Sequence, residues 1–235
     1  MLKAIQHRKI NYPFIEDTLT ASVFQLLSYL PQDLMSQILQ ESIYEVDIKL
    51  NTGRFEKISF WDKWKIKEEE NDGNFVEPDV FLSFEKLNII VEAKRWDDKQ
   101  QSSDQWKREL KGYFNEYSKY EFSKPIILLA LGGIHREQTD FVTIDDKEIS
   151  VYKSRWSRML NIILNKKKYL ERKVELSEME EILIRIFEDL ITSFELHGFF
   201  IGTWFSDEIR LKEHRPNNIL LESFLEKNKT WKLKN

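Results

Sequence analysis

The sequence predicts a mixed α/β fold, a central β-sheet flanked by helices and followed by a helical C-terminal extension. Three observations predict it. Apolar residues recur at helical spacing near the N-terminus, at Leu19, Val23, Leu26, Leu27 and Leu30. Two strand-length hydrophobic runs, Val80–Phe84 and Asn88–Lys94, are joined by Glu85-Lys86-Leu87, the pattern of a hairpin. Pro125–Gly132 is a continuous apolar run, as a strand buried on both faces requires.

Taken in order, the first helix stops at Pro31, and a second short one starts after Asp33 and carries Leu34 and Ile38. Ile43–Leu50 alternates towards strand, with a turn at Asn51-Thr52-Gly53, and the aromatic-rich Phe55–Ile66 reads as extended. The polar Glu68–Asn74, with Asp72-Gly73 as a turn signal, is a loop. After the hairpin, Ser103–Tyr117 places Trp106, Leu110, Tyr113 and Tyr117 on one helical face. Ile149–Tyr152 is a further strand, feeding a helix with Trp156, Met159, Leu160, Ile163 and Leu164. Ser177 and Glu180 form a capping box ahead of Met179, Leu183, Ile186, Leu190 and Phe194. Gly198–Phe205 is aromatic and Asn218–Lys227 reads as a last short helix. The expected organisation is a core over residues 1–152, with residues 153–235 a helical part packing on it, either as a separate module or as part of the same domain.

The totals exclude more than they assign. With 235 residues, 41% of them hydrophobic and including 16 Phe and 7 Trp, the chain can build a substantial core. Charged residues make up 32%, yet the formal net charge is −4, so no whole-chain basic field exists and any nucleic-acid affinity must come from a local patch. The absence of cysteine excludes disulfides, a thiol nucleophile, zinc knuckles and iron–sulfur clusters. Residues 1–11 lack a signal-like apolar run, and the longest apolar stretch, Ile126–Leu131, is strand-sized. These readings predict a soluble cytoplasmic protein with no membrane association.

One constellation carries chemistry. Along Asn88–Lys94, alternation turns Ile89, Val91 and Ala93 one way and Ile90, Glu92 and Lys94 the other. If the preceding strand pairs as a hairpin, Asp79 at its start lies beside Glu92 and Lys94 at the end of the next. Two carboxylates can hold Mg²⁺, a hard ion that prefers oxygen ligands. A neighbouring ammonium can orient or deprotonate a water, or stabilise phosphate oxygens.

Pro78-Asp79 followed by Glu92-Ala93-Lys94, on consecutive strands behind a helix, resembles the PD-(D/E)xK nuclease superfamily over about Phe14 to Tyr152. The resemblance implies a restriction-endonuclease-like core, with Asp79 and Glu92 binding metal and Lys94 catalytic. It further implies Glu16, on the inward face of the first helix, as an added metal ligand and Gln105 as an added catalytic residue. Lys107, Arg108 and Lys111 form a basic patch beside this corner, suited to DNA phosphates. The expected function is a Mg²⁺-dependent DNA endonuclease of bacterial restriction or anti-phage defence, with Mn²⁺ able to substitute, working as a homo-oligomer or as a subunit of a defence complex. An RNA substrate shares every one of these features. The alternative from another class is a catalytically silent subunit of the same fold.

Each residue also has a plainer reading. Glu92 and Lys94 could be a same-face ion pair of little energetic weight, and Glu16 an acidic first-turn residue favoured by the helix dipole. Gln105 has capping-box spacing from Ser102. His7, His135, His197 and His214 have no metal-ligand spacing, and Lys166–Lys168 reads as a solvated helix end.

Overall fold

Strand alternation decides which side chains face which layer. The computed structural model describes residues 2–200, apart from residues 46, 67–74, 97–99 and 118–123. The loop expected at Glu68–Asn74, the helix expected at Asn218–Lys227 and most of Gly198–Phe205 lie outside the described residues.

A short α1 (Leu2–Gln6) precedes α2 (Glu16–Leu27) and α3 (Gln32–Ser42). The strands β1 (Phe55–Phe60), β4 (Val80–Phe84), β5 (Asn88–Ala93), β6 (Ile126–Leu131), β7 (Asp140–Ile144) and β8 (Lys147–Ser154) make one six-stranded sheet, in the order β1-β4-β5-β6-β8-β7. β1, β4 and β5 run antiparallel, β5, β6 and β8 parallel, and β7 antiparallel at the edge. The parallel step from β5 to β6 needs a crossover, which α4 (Ser103–Tyr117) supplies. A two-stranded ribbon, β2 (Trp64–Lys65) with β3 (Phe75–Val76), packs near α4.

Two cores result, one on each face of the sheet. Val80, Leu82, Ile89, Val91 and Ala93 pack with α2, α3, α5 (Trp156–Glu171) and α6 (Glu178–Leu196). Phe81, Ile90, Leu128 and Val151 pack on the other face with Trp106, Leu110 and Tyr113 of α4. The expected alternation of β5 is therefore present residue for residue. The helices α5 and α6 share the first core with α2 and α3, and residues 1–200 form one compact unit.

Two expectations need correction. Among the described residues of 43–50 there is no strand. The Tyr44 amide donates to the Lys153 carbonyl and the Leu50 amide to Oε1 of Gln40, so single partners satisfy this backbone where a ladder was expected. Phe55–Ile66 is broken into β1 and β2 at Trp61, whose φ of 52° no strand can hold.

A candidate metal-dependent active site at the ends of β4 and β5

Hairpin register brings the three motif residues together. Val80 pairs with Val91 at the end of the ladder, so Asp79 and Glu92, the next residue on each strand, come side by side just beyond it. Oδ2 of Asp79 accepts from the Ala93 amide at 2.8 Å, which fixes the carboxylate against the end of β5. Lys94 follows immediately, and its ammonium bonds Oε1 of Glu92 on the same face. Glu16, first residue of α2, reaches the same corner: its Oε2 accepts from the Arg95 amide at 2.7 Å and its Oε1 lies 3.6 Å from Nζ of Lys94. The hydroxyl of Thr18 receives the Ile15 amide, holding the start of α2 that carries Glu16.

Close approach of backbone makes this corner possible. β6 is followed by Gly132 and Gly133, at φ of 70° and 60°, where left-handed backbone favours glycine. A Cβ on Gly132 would stand 2.2 Å from the Lys94 carbonyl oxygen, and one on Gly133 2.7 Å from Cβ of Lys94. That carbonyl also accepts from Nε1 of the buried Trp156 at 2.8 Å. The backbone of Lys94 is thus pinned from three sides.

Burial concentrates the electrostatics. Glu92 is 1% exposed, as is Glu109 of α4 beneath it. Burial, then the charge of Glu92, pushes Asp79 up to about 7, against weaker opposition from the Ala93 amide and Lys94. Glu109 is raised well above the ordinary carboxyl range by burial, then by the charge of Glu92 and a hydrogen bond to it. Its protonated form is favoured there, next to Glu92. Desolvation pulls Lys94 down, but Glu92, Glu16 and Asp79 together outweigh it and leave the ammonium more firmly protonated than usual.

Sequence reasoning missed two members. Glu109 sits on the apolar stripe of α4, three residues after Trp106 and four before Tyr113. An acidic residue on that stripe was the available signal. Gln101 had none: its Nε2 donates to the carbonyls of Glu92 at 2.9 Å and Gly132 at 3.1 Å, and its Oε1 accepts from Nε1 of Trp106 at 2.7 Å. Gln105 lies one helical turn before Glu109 and weakly opposes the rise in its pKa, one carboxyl away from Glu92. Lys107 and Arg108 are exposed on α4, and Lys111 is half-buried.

The donor set suits a hard divalent cation. Asp79, Glu92 and Glu16 offer only oxygens, from two strands and a helix, and Oε2 of Glu109 is buried without a hydrogen-bond partner. Among the described residues no three His, Asp or Glu side chains already stand in ligating geometry. One oxygen on each of Asp79, Glu92 and Glu16 is instead taken by a protein donor. Among those residues, no helix is long and apolar enough to cross a membrane.

No family model matches the sequence. Over 189 residues the chain is 33% identical to the uncharacterized protein PM0110 of Pasteurella multocida, an alignment spanning 78% of this chain and 69% of that one. At that identity and coverage the two share a fold and a common origin, and the chain belongs to the family of this Pasteurella multocida protein.

Proposed function

We propose that the chain is a Mg²⁺-dependent nuclease of the PD-(D/E)xK type, hydrolysing DNA phosphodiesters in bacterial restriction or anti-phage defence. The observation that carries this reading is the convergence of Glu16, Asp79 and Glu92 around one ammonium, Lys94. A structural ion pair needs one carboxylate; three around one lysine leave uncompensated negative charge in a half-buried corner, which a divalent cation would neutralise.

Asp79 and Glu92, with Glu16, are the residues that would hold Mg²⁺, and Mn²⁺ in its place. When bound, the ion lowers the pKa of water and offsets charge on the phosphate in the transition state. Lys94 then acts as a cation: with its proton held more firmly than usual, it orients the attacking water and stabilises a phosphate oxygen. Base catalysis by Lys94 would need that proton to leave, which the surrounding carboxylates oppose. Glu109 supports Glu92 from below, with Gln105 one turn before it, and Gln101 fixes the Glu92 backbone. Exposed Lys107 and Arg108 would meet backbone phosphate, with Lys111 beside them. Target choice would come from a homo-oligomer or a defence-complex partner.

The test is conversion of supercoiled plasmid with Mg²⁺, by wild type and by Lys94→Ala. Wild type should nick or linearise it and Lys94→Ala should be slower by about a hundredfold or more. Equal products from both would overturn the reading. One observation favours a second reading, a catalytically silent subunit: the carboxylates are already satisfied by protein donors. That reading gains if neither Mg²⁺ nor Mn²⁺ binds and Asp79→Ala changes nothing.

A further inference from the structure

Glu92, Ala130 and Lys153 stand in one register row across β5, β6 and β8. All three lie on the α4 face, because Ile90, Leu128 and Val151, two residues earlier on each strand, pack there. Two strand spacings put the Lys153 backbone about 10 Å from that of Glu92. Between them stands Ala130, buried in the core that α4 covers. At the Lys153 end opens a cavity of about 360 Å³, lined by Gln101, Trp106, Arg136, Asp140, Phe141 and Lys153 among others.

The wall chemistry of this cavity is specific. Lys153 is 4% exposed, with its ammonium bonded to Asp140 and lying 5.4 Å from the Trp106 ring centroid. Asp140 also takes Arg136, so a single carboxylate serves two cations and the group carries a net charge of about +1. Burial alone would raise Asp140, but its bonds from Lys153 and Arg136 outweigh that and keep it ionised. Phe141, 59% exposed, presents a ring at the same opening. A positive cavity with an open aromatic face, on a chain of net charge −4, matches a nucleotide: phosphate for the cations, a base for the ring. Gln101 lines this cavity and bonds the Glu92 backbone, so cavity and carboxylate corner share a wall.

We infer that this cavity holds one unpaired nucleotide of a substrate strand, its phosphate on Arg136 beside Lys153 and its base on Phe141. The inference rests on the nuclease reading for what happens at the neighbouring corner, but its own claim is binding. A strand held here would reach the Asp79–Glu92 corner past Gln101, the wall that the cavity and the corner share. The substrate is then single-stranded or locally opened at this point, since a paired base cannot lie on Phe141.

Fluorescence anisotropy with a labelled single-stranded (dT)8, in EDTA so that no cleavage intervenes, tests it on the full chain. Arg136→Ala and Phe141→Ala change exposed side chains and should keep the wild-type melting temperature. Each should weaken binding between about fivefold and a hundredfold, while Asp79→Asn, at the corner, binds at least as well as wild type. The two should differ in salt dependence: Arg136→Ala flattens the slope by about 0.7, and Phe141→Ala leaves it unchanged. No binding by wild type, or wild-type affinity in both variants, would overturn the inference. So would a blunt duplex of the same length binding as tightly, with affinity insensitive to Phe141→Ala. Competition by free dTMP as strong as that by (dT)8 would assign the cavity to a mononucleotide and overturn the strand reading. If binding follows the prediction and wild type still cuts nothing with Mg²⁺, the nuclease reading fails and the nucleotide cavity stands.

Discussion

At Asp79 and Lys94 the competing effects can be ordered by direction. Burial and the charge of Glu92 raise Asp79 from 3.8 to about 7, so the folded protein holds a proton that the unfolded chain releases near pH 4. A carboxyl raised in this way contributes stability that is complete below pH 4 and is lost as pH climbs to about 7. Thermal melts in EDTA should therefore show a metal-free protein less stable at pH 8 than at pH 5. Asp79→Asn should flatten that difference, and an unchanged pH slope would sink the assignment. Because ligation needs the deprotonated carboxylate, Mg²⁺ should restore more stability at pH 8 than at pH 5. Lys94 supplies the compensating positive charge, and its pKa is raised as well. Lys94→Ala removes the single ammonium among Glu16, Asp79 and Glu92, so it should lower the metal-free melting temperature, and Mg²⁺ should recover part of the loss.

Among the elements, the end of β6 and the start of α6 have separable jobs. Gly132→Ala sets a Cβ against the Lys94 carbonyl in left-handed backbone, so it should cost about 1–3 kcal/mol and displace the Lys94 segment. Cleavage should fall as far in Gly132→Ala as in Lys94→Ala, despite an unaltered set of ionisable groups. At the other end, Ser177 accepts from the Glu180 amide, and Glu180 returns a bond to the Ser177 amide. Ser177→Ala should lower stability by about 1 kcal/mol in urea denaturation and leave cleavage unchanged, as α6 packs on the opposite face of the sheet from Glu92. The elements that sequence could place were those with a dominant local signal. The capping box of α6, the hairpin at Glu85-Lys86-Leu87 and the stripe of α4 each depend on residues within a few positions of one another. Ile43–Leu50 had an alternating pattern, but its described residues form no ladder, and pairing is a tertiary fact that alternation does not contain.

For the molecule as a whole, register converts distant residues into one site. The convergence of Asp79, Glu92 and Lys94 was legible, because hairpin pairing and a period of two suffice to place them. Glu16 was legible only as an inward-facing acid; its bond to the Arg95 amide depends on how α2 lies on the sheet. Gln101 and the Lys153 cavity were invisible, since they require the parallel order β5-β6-β8, which brings Glu92, Ala130 and Lys153 into one row. The charge balance follows the same logic. A chain of net charge −4 keeps Arg136 and Lys153 together on one face, at one end of that row. The corner at the other end of the row is the one we propose to be built for a divalent cation. The most direct measurement is anomalous scattering from a crystal soaked in millimolar Mn²⁺. We predict a peak between the carboxylates of Asp79 and Glu92, with the Lys94 ammonium moved off Glu92. A map with no peak there, and Lys94 still bonded to Glu92, would contradict it.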